Sequence, residues 1–302
     1  MYLLKGSGFG GMAINLPDFS GARAAVLPVP YDAATSYKSG TREGPRSILE
    51  ASAQVELFDP EWGLDYEDLT IATLNEMEID VAGPEAMLEK TERVYKEALE
   101  KAGFVLMLGG DHSLTTAAVR QVAPLHEGAL SVVQFDAHTD LRDSWQGSKF
   151  SHASVMSRVK EMAPIVQVGV RNISRGEWEF IGESGHPVYP AWELDGRDDG
   201  WIDQMTSGLK ENVYITFDLD CLDPSIMPGV GTPEPGGMGW RQACDAIKAI
   251  GQRRRIVGAD LMELRPIPGT HQSEFLAARL GFRLLGAALL LEKKNQAGQA
   301  GR

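Results

Sequence analysis

The chain has 302 residues, of which 43% are hydrophobic and 24% are charged, and this is the composition of a globular protein with a large core. Its formal net charge of −13 argues against nucleic acid as a partner, because binding to phosphates requires a basic surface. With two cysteines, no apolar stretch of membrane-spanning length and no N-terminal signal sequence, we expect a cytoplasmic protein without a disulfide framework and without a membrane partner.

Strand-like and helix-like patterns alternate along the chain. A proline in the first turn predicts helices over Arg46–Phe58 and Glu85–Lys101, and a serine cap predicts another over Glu274–Leu291. Short apolar runs, typical of buried strands, predict eight strands between and around these helices. They are Ala22–Val29, Leu69–Thr73, Gly103–Leu108, Leu130–Phe135, Ile165–Val170, Pro187–Tyr189, Val213–Phe217 and Ile256–Leu261.

This alternation predicts an α/β fold with three layers, in which a mostly parallel, roughly eight-stranded sheet is flanked by helices. No change in composition marks a linker, so we interpret residues 1–302 as a single domain, with residues 293–302 as a polar, frayed tail. Two segments fit neither the strand-like nor the helix-like pattern, namely Val29–Gly44 and Leu222–Met238. Long loops of this kind usually shape a binding site.

Acidic and imidazole side chains directly follow three of the predicted strands. Side chains two residues apart on extended backbone point the same way, so one short segment presents several donors to a small volume. Many carboxylates gather only where a cation neutralises them, and mixed oxygen and imidazole donors suit an ion such as manganese. Six donors are enough for two ions that share carboxylates, whereas one such motif alone would be explained by a helix cap or a structural histidine. The candidate ligands are His112, Asp136, His138, Asp140, Asp218 and Asp220.

Three segments resemble the signature segments of the ureohydrolase family, the arginases and agmatinases, in the order found there. They are Gly109–Ser113, Asp136–Asp140 and Phe217–Pro224, and Gly231–Gly237 is similar to the loop that follows in that family. The resemblance extends from about Val26 to about Arg279. It implies a single α/β domain with an eight-stranded parallel sheet, assembled as a homo-oligomer, either a trimer or a hexamer.

The resemblance also implies two manganese ions per chain, with Asp136 and Asp218 bridging them. One ion would be held by His112, Asp136, Asp140 and Asp218. The other would be held by Asp136, His138, Asp218 and Asp220.

A water molecule between two divalent ions loses a proton near neutral pH and becomes a nucleophile, and Asp140 is a ligand that could pass this proton onward. A planar guanidinium suits paired hydrogen bonds to a carboxylate. Glu263, after the last strand, matches the family position that binds the guanidinium, although it could instead be a surface residue paired with Arg265. His152 matches the family's proton-shuttling histidine and would be unremarkable on its own.

Two positions separate this chain from the arginases. Arg142 stands where arginases have asparagine, and Ser174 stands where they have aspartate, so the groups expected to hold the amino-acid end of arginine are missing. The resemblance is closest to bacterial and archaeal agmatinases and implies hydrolysis of agmatine, a small cationic guanidino compound, to putrescine and urea. N1-aminopropylagmatine, guanidinobutyrate and arginine stay open as substrates, because Arg142 would favour a carboxylate unless it turns outward to Asp143 or Glu161.

Two other classes of protein share parts of this pattern. A regulatory or scaffold protein could bind metal on the same fold without catalysis, but it would not need the equivalents of His152 and Glu263. A metal-dependent amide hydrolase such as a deacetylase would not require two complete ion sites.

Overall fold

The computed structural model describes residues 8–11, 19, 21–33, 35–194 and 200–291. The tail predicted over residues 293–302 lies outside these described residues. Ten strands are present among them: β1 Ala24–Val29, β2 Phe58–Asp59, β3 Leu64–Asp65, β4 Ile71–Thr73, β5 Val105–Gly109, β6 Leu130–Phe135, β7 Ile165–Val168, β8 Val188–Tyr189, β9 Asn212–Asp218 and β10 Arg255–Met262. The α-helices of the described residues are α1 Gly44–Ser52, α2 Pro84–Ala102, α3 Thr115–Val122, α4 Val155–Val159, α5 Arg175–Ser184, α6 Ala191–Leu194, α7 Gly200–Gly208, α8 Trp240–Arg253 and α9 Gln272–Leu285.

Eight of the strands form one sheet, in the order β4-β1-β5-β10-β9-β6-β7-β8, and every neighbouring pair is parallel. The predicted α/β fold with a parallel, eight-stranded sheet is therefore confirmed, and each predicted strand lies in it. The last strand along the chain, β10, lies between β5 and β9 near the middle of the sheet. The carboxyl ends of β5, β10, β9 and β6 consequently lie side by side, where open α/β sheets bind ligands.

Both faces of the sheet are covered, which explains why its strands are continuous apolar runs rather than alternating ones. Side chains of α1, α8 and α9 pack on one face, and side chains of α2, α3 and α4 pack on the other. Successive residues of a strand serve opposite faces: in β5, Leu106 and Leu108 belong to the first core, and Val105 and Met107 to the second. The result is the predicted arrangement of three layers.

The predicted helix over Arg46–Phe58 was too long. The helix ends at Ser52, and Phe58 lies instead in β2, which pairs antiparallel with β3 in a small hairpin outside the main sheet. The helix predicted over Glu274–Leu291 spans Gln272–Leu285 and continues as a wider π-helical turn over Gly286–Leu290. None of the described helices is both long enough and apolar enough to cross a membrane.

Candidate active site

The side chains predicted to bind metal meet at the carboxyl ends of the adjacent central strands. A short 3₁₀ turn after β5 carries His112, the loop after β6 carries the Asp136–Asp140 segment, and Asp218 and Asp220 lie at the end of β9. The chain can turn sharply after β5 because Gly110 has no Cβ, which would collide there with the carbonyl oxygen of Tyr31. The neighbouring strand β10 ends at Met262, so Glu263 enters the same space.

The first group of donors surrounds the Nδ1 atom of His112, which is fully buried. This atom lies 3.0 Å from Asp136 Oδ2, 3.2 Å from Asp218 Oδ2 and 3.4 Å from Asp140 Oδ2. It has no hydrogen-bond partner among the described residues. A buried nitrogen surrounded by three carboxylates and without a hydrogen-bond partner is an arrangement that suits a shared cation.

The second group surrounds the Nδ1 atom of His138, whose side chain is 24% exposed. It lies 3.1 Å from Asp220 Oδ2 and 3.4 Å from Asp136 Oδ1. Asp136 thus faces His112 with one carboxylate oxygen and His138 with the other. Two sets of three residues, His112–Asp136–Asp218 and Asp136–His138–Asp220, each place their donor atoms close enough to hold an ion.

The pKa values of these groups show how strongly the cluster favours positive charge. Burial and the charge of Asp136 raise the pKa of Asp140 to about 6, and burial with Asp220 and Asp136 raises that of Asp218 well above its usual range. Burial opposes protonation of His112 and His138, but the surrounding carboxylates outweigh it and raise both pKa values. Protons and divalent cations compete for such a site, and its oxygen and imidazole donors are compatible with a binuclear metal centre.

A second layer of buried polar groups orients His112, and the sequence analysis did not identify it. The Nε2 atom of His112 lies 2.7 Å from Thr216 Oγ1, and Thr216 donates its hydrogen to Asp260 Oδ1 at 2.6 Å. Thr115 and Tyr214 donate to the other oxygen of Asp260. Because the single hydroxyl hydrogen of Thr216 goes to Asp260, its oxygen accepts from Nε2–H, and Nδ1 is the atom that faces the carboxylates.

Glu263 and His152 lie together beside this cluster. Glu263 is 5% exposed, and its Oε1 accepts from the backbone N–H of His112 at 2.9 Å and lies 3.4 Å from His152 Nδ1. Burial opposes protonation of His152, but Glu263 outweighs it and raises the pKa of this histidine to about 9. Arg265 donates to the carbonyl of Ser39, so it does not make Glu263 a surface ion pair. Both Asp140 and Glu263 have positive φ, at 51° and 66°, a costly conformation for non-glycine residues that is found at functional sites.

A cavity of about 210 Å³ opens outward from the donor cluster. We call its lining residues from the donor cluster the inner part, and Arg142, Trp145 and Asn172 on the connecting segments after β6 and β7 the outer part, or outer wall; His152 also lines the cavity. The inner part consists of His138, Asp140, Asp218 and Asp220. His271 is not among the residues that line this cavity and lines a separate surface groove instead.

Among the described residues, the cation that pairs with Asp143 and Glu161 is Arg158, whereas Arg142 turns to an aromatic ring. Its guanidinium lies over the ring of Trp145, 4.4 Å from the ring centre. A tight turn holds this tryptophan, since Trp145 and Ser148 exchange two backbone hydrogen bonds. The outer wall therefore presents a stacked cation.

Ser174 also lines this cavity, but its hydroxyl is already hydrogen-bonded within the fold. It is the N-cap of α5, where it accepts from the backbone N–H of Glu177 and donates to the Glu177 carboxylate. Glu177 also accepts from Thr139 Oγ1 at 2.8 Å and from the backbone N–H of Leu141 at 3.1 Å. This capping box therefore uses both side chains to fix the loop that follows β6.

The comparisons with known proteins agree with this geometry. The model of the arginase family matches residues 22–286. A protein of Synechocystis sp. named N(1)-aminopropylagmatine ureohydrolase is 37% identical over 90% of each chain, and an agmatinase of Pyrococcus horikoshii is 34% identical over 91% of this chain and 95% of its own. The solved structure of agmatine ureohydrolase of Thermoplasma volcanium is similar with a TM-score of 0.85, at 27% identity over 97% of each chain.

Proposed function

Because the chain belongs to the arginase family and is a ureohydrolase of that family, we propose that it hydrolyses the guanidino group of agmatine or N1-aminopropylagmatine, releasing urea and the corresponding polyamine. The observation that carries this proposal is a cavity lined by donor-cluster residues and His152, with the carboxylate of Glu263 3.4 Å from His152 Nδ1. The names of the relatives favour these two guanidino amines. Agmatine itself stays a prediction.

We propose manganese as the metal, with two ions per chain. The donors present fit this assignment, since carboxylates and imidazoles dominate and the two described cysteines are free and buried. When bound, two such ions lower the pKa of water and supply a nucleophile near neutral pH. The residues that would hold them are His112, Asp136, His138, Asp140, Asp218 and Asp220.

The chain's own residues then orient the substrate and move protons. Glu263 offers a buried carboxylate to the planar guanidinium, which limits its rotation and brings its central carbon toward the metal donors. With a pKa of about 9, His152 is protonated near neutral pH and can give a proton to the departing amine. Asp140 lines the same cavity and can accept the proton released from the nucleophile.

Arg142 supports a second candidate substrate class. Among the described residues, its guanidinium has the ring of Trp145 as its recorded partner and no carboxylate. A guanidino acid such as guanidinobutyrate would bring a carboxylate to this outer wall, and opposite charges attract there. Arginine would also bring an α-amino group, for which the capped Ser174 offers little.

A substrate panel tests both proposals. The manganese-loaded protein is given N1-aminopropylagmatine, agmatine, guanidinobutyrate and arginine, and urea is measured. We expect the two amines to have the highest kcat/KM. A higher kcat/KM for guanidinobutyrate or arginine would contradict the assignment and make Arg142 the first residue to examine.

Absence of urea from all four compounds, with two manganese ions bound, would instead support a non-catalytic protein. An Asp136→Asn variant purified in parallel controls for contaminating activity.

A further inference from the structure

Two glutamines lie fully buried in the interior of the sheet, next to the candidate metal centre. Gln134 in β6 and Gln167 in β7 are direct partners in the parallel register, and both side chains are 0% exposed. Buried polar side chains are costly unless every donor and acceptor finds a partner, so two adjacent buried glutamines require an explanation.

The two amides form a chain of hydrogen bonds that ends on Asp136. Gln134 Nε2 donates to Asp136 Oδ2 at 2.6 Å, and Gln134 Oε1 accepts from Gln167 Nε2. Gln167 Nε2 also donates to the carbonyl of Thr139 at 2.6 Å, and Gln167 Oε1 lies 3.1 Å from Nε2 of His186 at the outer end of the chain.

The direction of this chain is fixed by its ends. An ionised carboxylate and a backbone carbonyl can only accept, so Asp136 requires the NH₂ group of Gln134, and Thr139 requires the NH₂ group of Gln167. Reversing either amide would place two acceptors against each other. Each glutamine therefore holds the other in a single orientation, and the NH₂ group of Gln134 always faces Asp136.

The consequence appears at the two oxygens of Asp136. Oδ2 accepts from Gln134 and faces His112, whereas Oδ1 accepts from the backbone N–H of His138 at 2.6 Å and faces the second donor group. Each oxygen thus accepts one hydrogen bond from the protein. Its second lone pair remains free to bind an ion in the donor group that the oxygen faces. A carboxylate held in this way cannot rotate to give both oxygens to one ion.

We propose that Gln134 and Gln167 are positioning residues that fix Asp136 as a carboxylate shared between two ions, with Gln167 acting through Gln134. This inference rests on the proposed function for the metal role of Asp136, but it concerns residues that contact no substrate. Loss of a hydrogen-bond partner behind a metal ligand commonly weakens metal affinity 10–100-fold.

The test measures manganese binding rather than catalysis. The full-length protein is stripped of metal with a chelator and titrated with Mn²⁺ alone, and free Mn²⁺ is followed by electron paramagnetic resonance. Gln134→Met and Gln167→Met keep the side-chain length and remove the amide, and methionine fits buried sites readily. Ser131→Ala is the matched control, because Ser131 is also buried in β6 but accepts from the backbone N–H of Lys210, away from Asp136.

We expect Gln134→Met to raise the Kd for Mn²⁺ about 10–100-fold, Gln167→Met to raise it less, and the control to leave it unchanged. The double variant should bind no more weakly than Gln134→Met alone, because Gln167 acts through Gln134. Unchanged Mn²⁺ affinity in both single variants, or additive losses in the double variant, would overturn the inference. If the double variant does not fold, the single variants still decide whether the two glutamines affect the affinity for Mn²⁺.

Thermal unfolding of the metal-free proteins separates this role from a merely structural one. A structural role lowers the unfolding midpoint without a matching change in Mn²⁺ affinity, and that pattern would also overturn the inference. Failure of the wild-type protein to bind Mn²⁺ would contradict the proposed metal centre instead, so the two failures are distinguishable.

Discussion

The inner and outer parts of the cavity are built in different ways. The inner part consists of donor-cluster side chains that stand at the ends of the neighbouring strands β6 and β9, and a backbone hydrogen bond such as that from Asp220 N–H to Asp218 Oδ1 holds them in place. The outer part consists of Arg142, Trp145 and Asn172, which stand on connecting segments after β6 and β7. The sheet therefore fixes the donor cluster, while the loops carry the residues that we propose to meet the variable end of a substrate.

The largest expected effect comes from removing the carboxylate that faces both donor groups. Asp136→Asn keeps the shape of the side chain but removes its charge, so we expect loss of both metal ions. We expect kcat to fall about 10⁴-fold or more, which is the largest loss usually caused by removing one acid–base group, or above it. Metal content measured by elemental analysis checks this. His138→Asn should remove only one ion, and retention of two ions by Asp136→Asn would show that the carboxylate is not shared.

A smaller effect is expected at the boundary between the two parts. His152→Ala removes the proposed proton donor and should lower kcat about 10²–10⁴-fold while two metal ions stay bound. Ser36→Ala is the control, because it removes only the 3.0 Å hydrogen bond between Ser36 Oγ and His152 Nε2 and should cost less than about tenfold. Turnover unchanged by His152→Ala would assign this histidine a structural role.

The smallest effect, and the one most specific to substrate, is expected in the outer part. Arg142→Met removes the positive charge and keeps an apolar chain against Trp145. We expect kcat/KM for the guanidino amines to rise and that for guanidinobutyrate to fall, changing their ratio about tenfold with metal content unchanged. Arg175→Met removes an exposed cation of α5 that pairs with Glu179 and with neither Asp143 nor Glu161, and it serves as the control. An equal change for all substrates would show that Arg142 only supports the loop.

The sequence predicted the sheet well because its buried strands are continuous apolar runs with clear breaks. It did not reveal the β2–β3 hairpin, since two residues per strand carry no periodic signal, and helix periodicity continued past Ser52 toward Phe58. The six candidate ligands stood out because they directly follow strands. Five of them form the two donor groups, and Asp140 lies 3.4 Å from His112 Nδ1, while the roles of all six stay predictions.

The supporting layer behind the ligands was harder to predict. Gln134, Thr216 and Asp260 lie inside strands, where one polar residue in an apolar run looks like an ordinary exception. The sequence did contain one signal for this layer, namely a polar residue in a strand that is buried on both faces. Such a residue must find a hydrogen-bond partner inside the core. The direction of Arg142 was not predictable in this way, since neither its stacking on Trp145 nor the pairing of Arg158 with Asp143 and Glu161 leaves a periodic signal in the sequence.

The central position of β10 also has a consequence for synthesis of the chain. Until Met262 has left the ribosome, the strands already made can pair in their final order only within two separate blocks, β4-β1-β5 and β9-β6-β7-β8, each with an open edge where β10 belongs. His112 follows a strand of the first block, and the other five candidate ligands follow strands of the second. Open edges of parallel strands invite pairing with other chains. The sheet can therefore close, and the complete donor cluster can form, only after β10 has been synthesised.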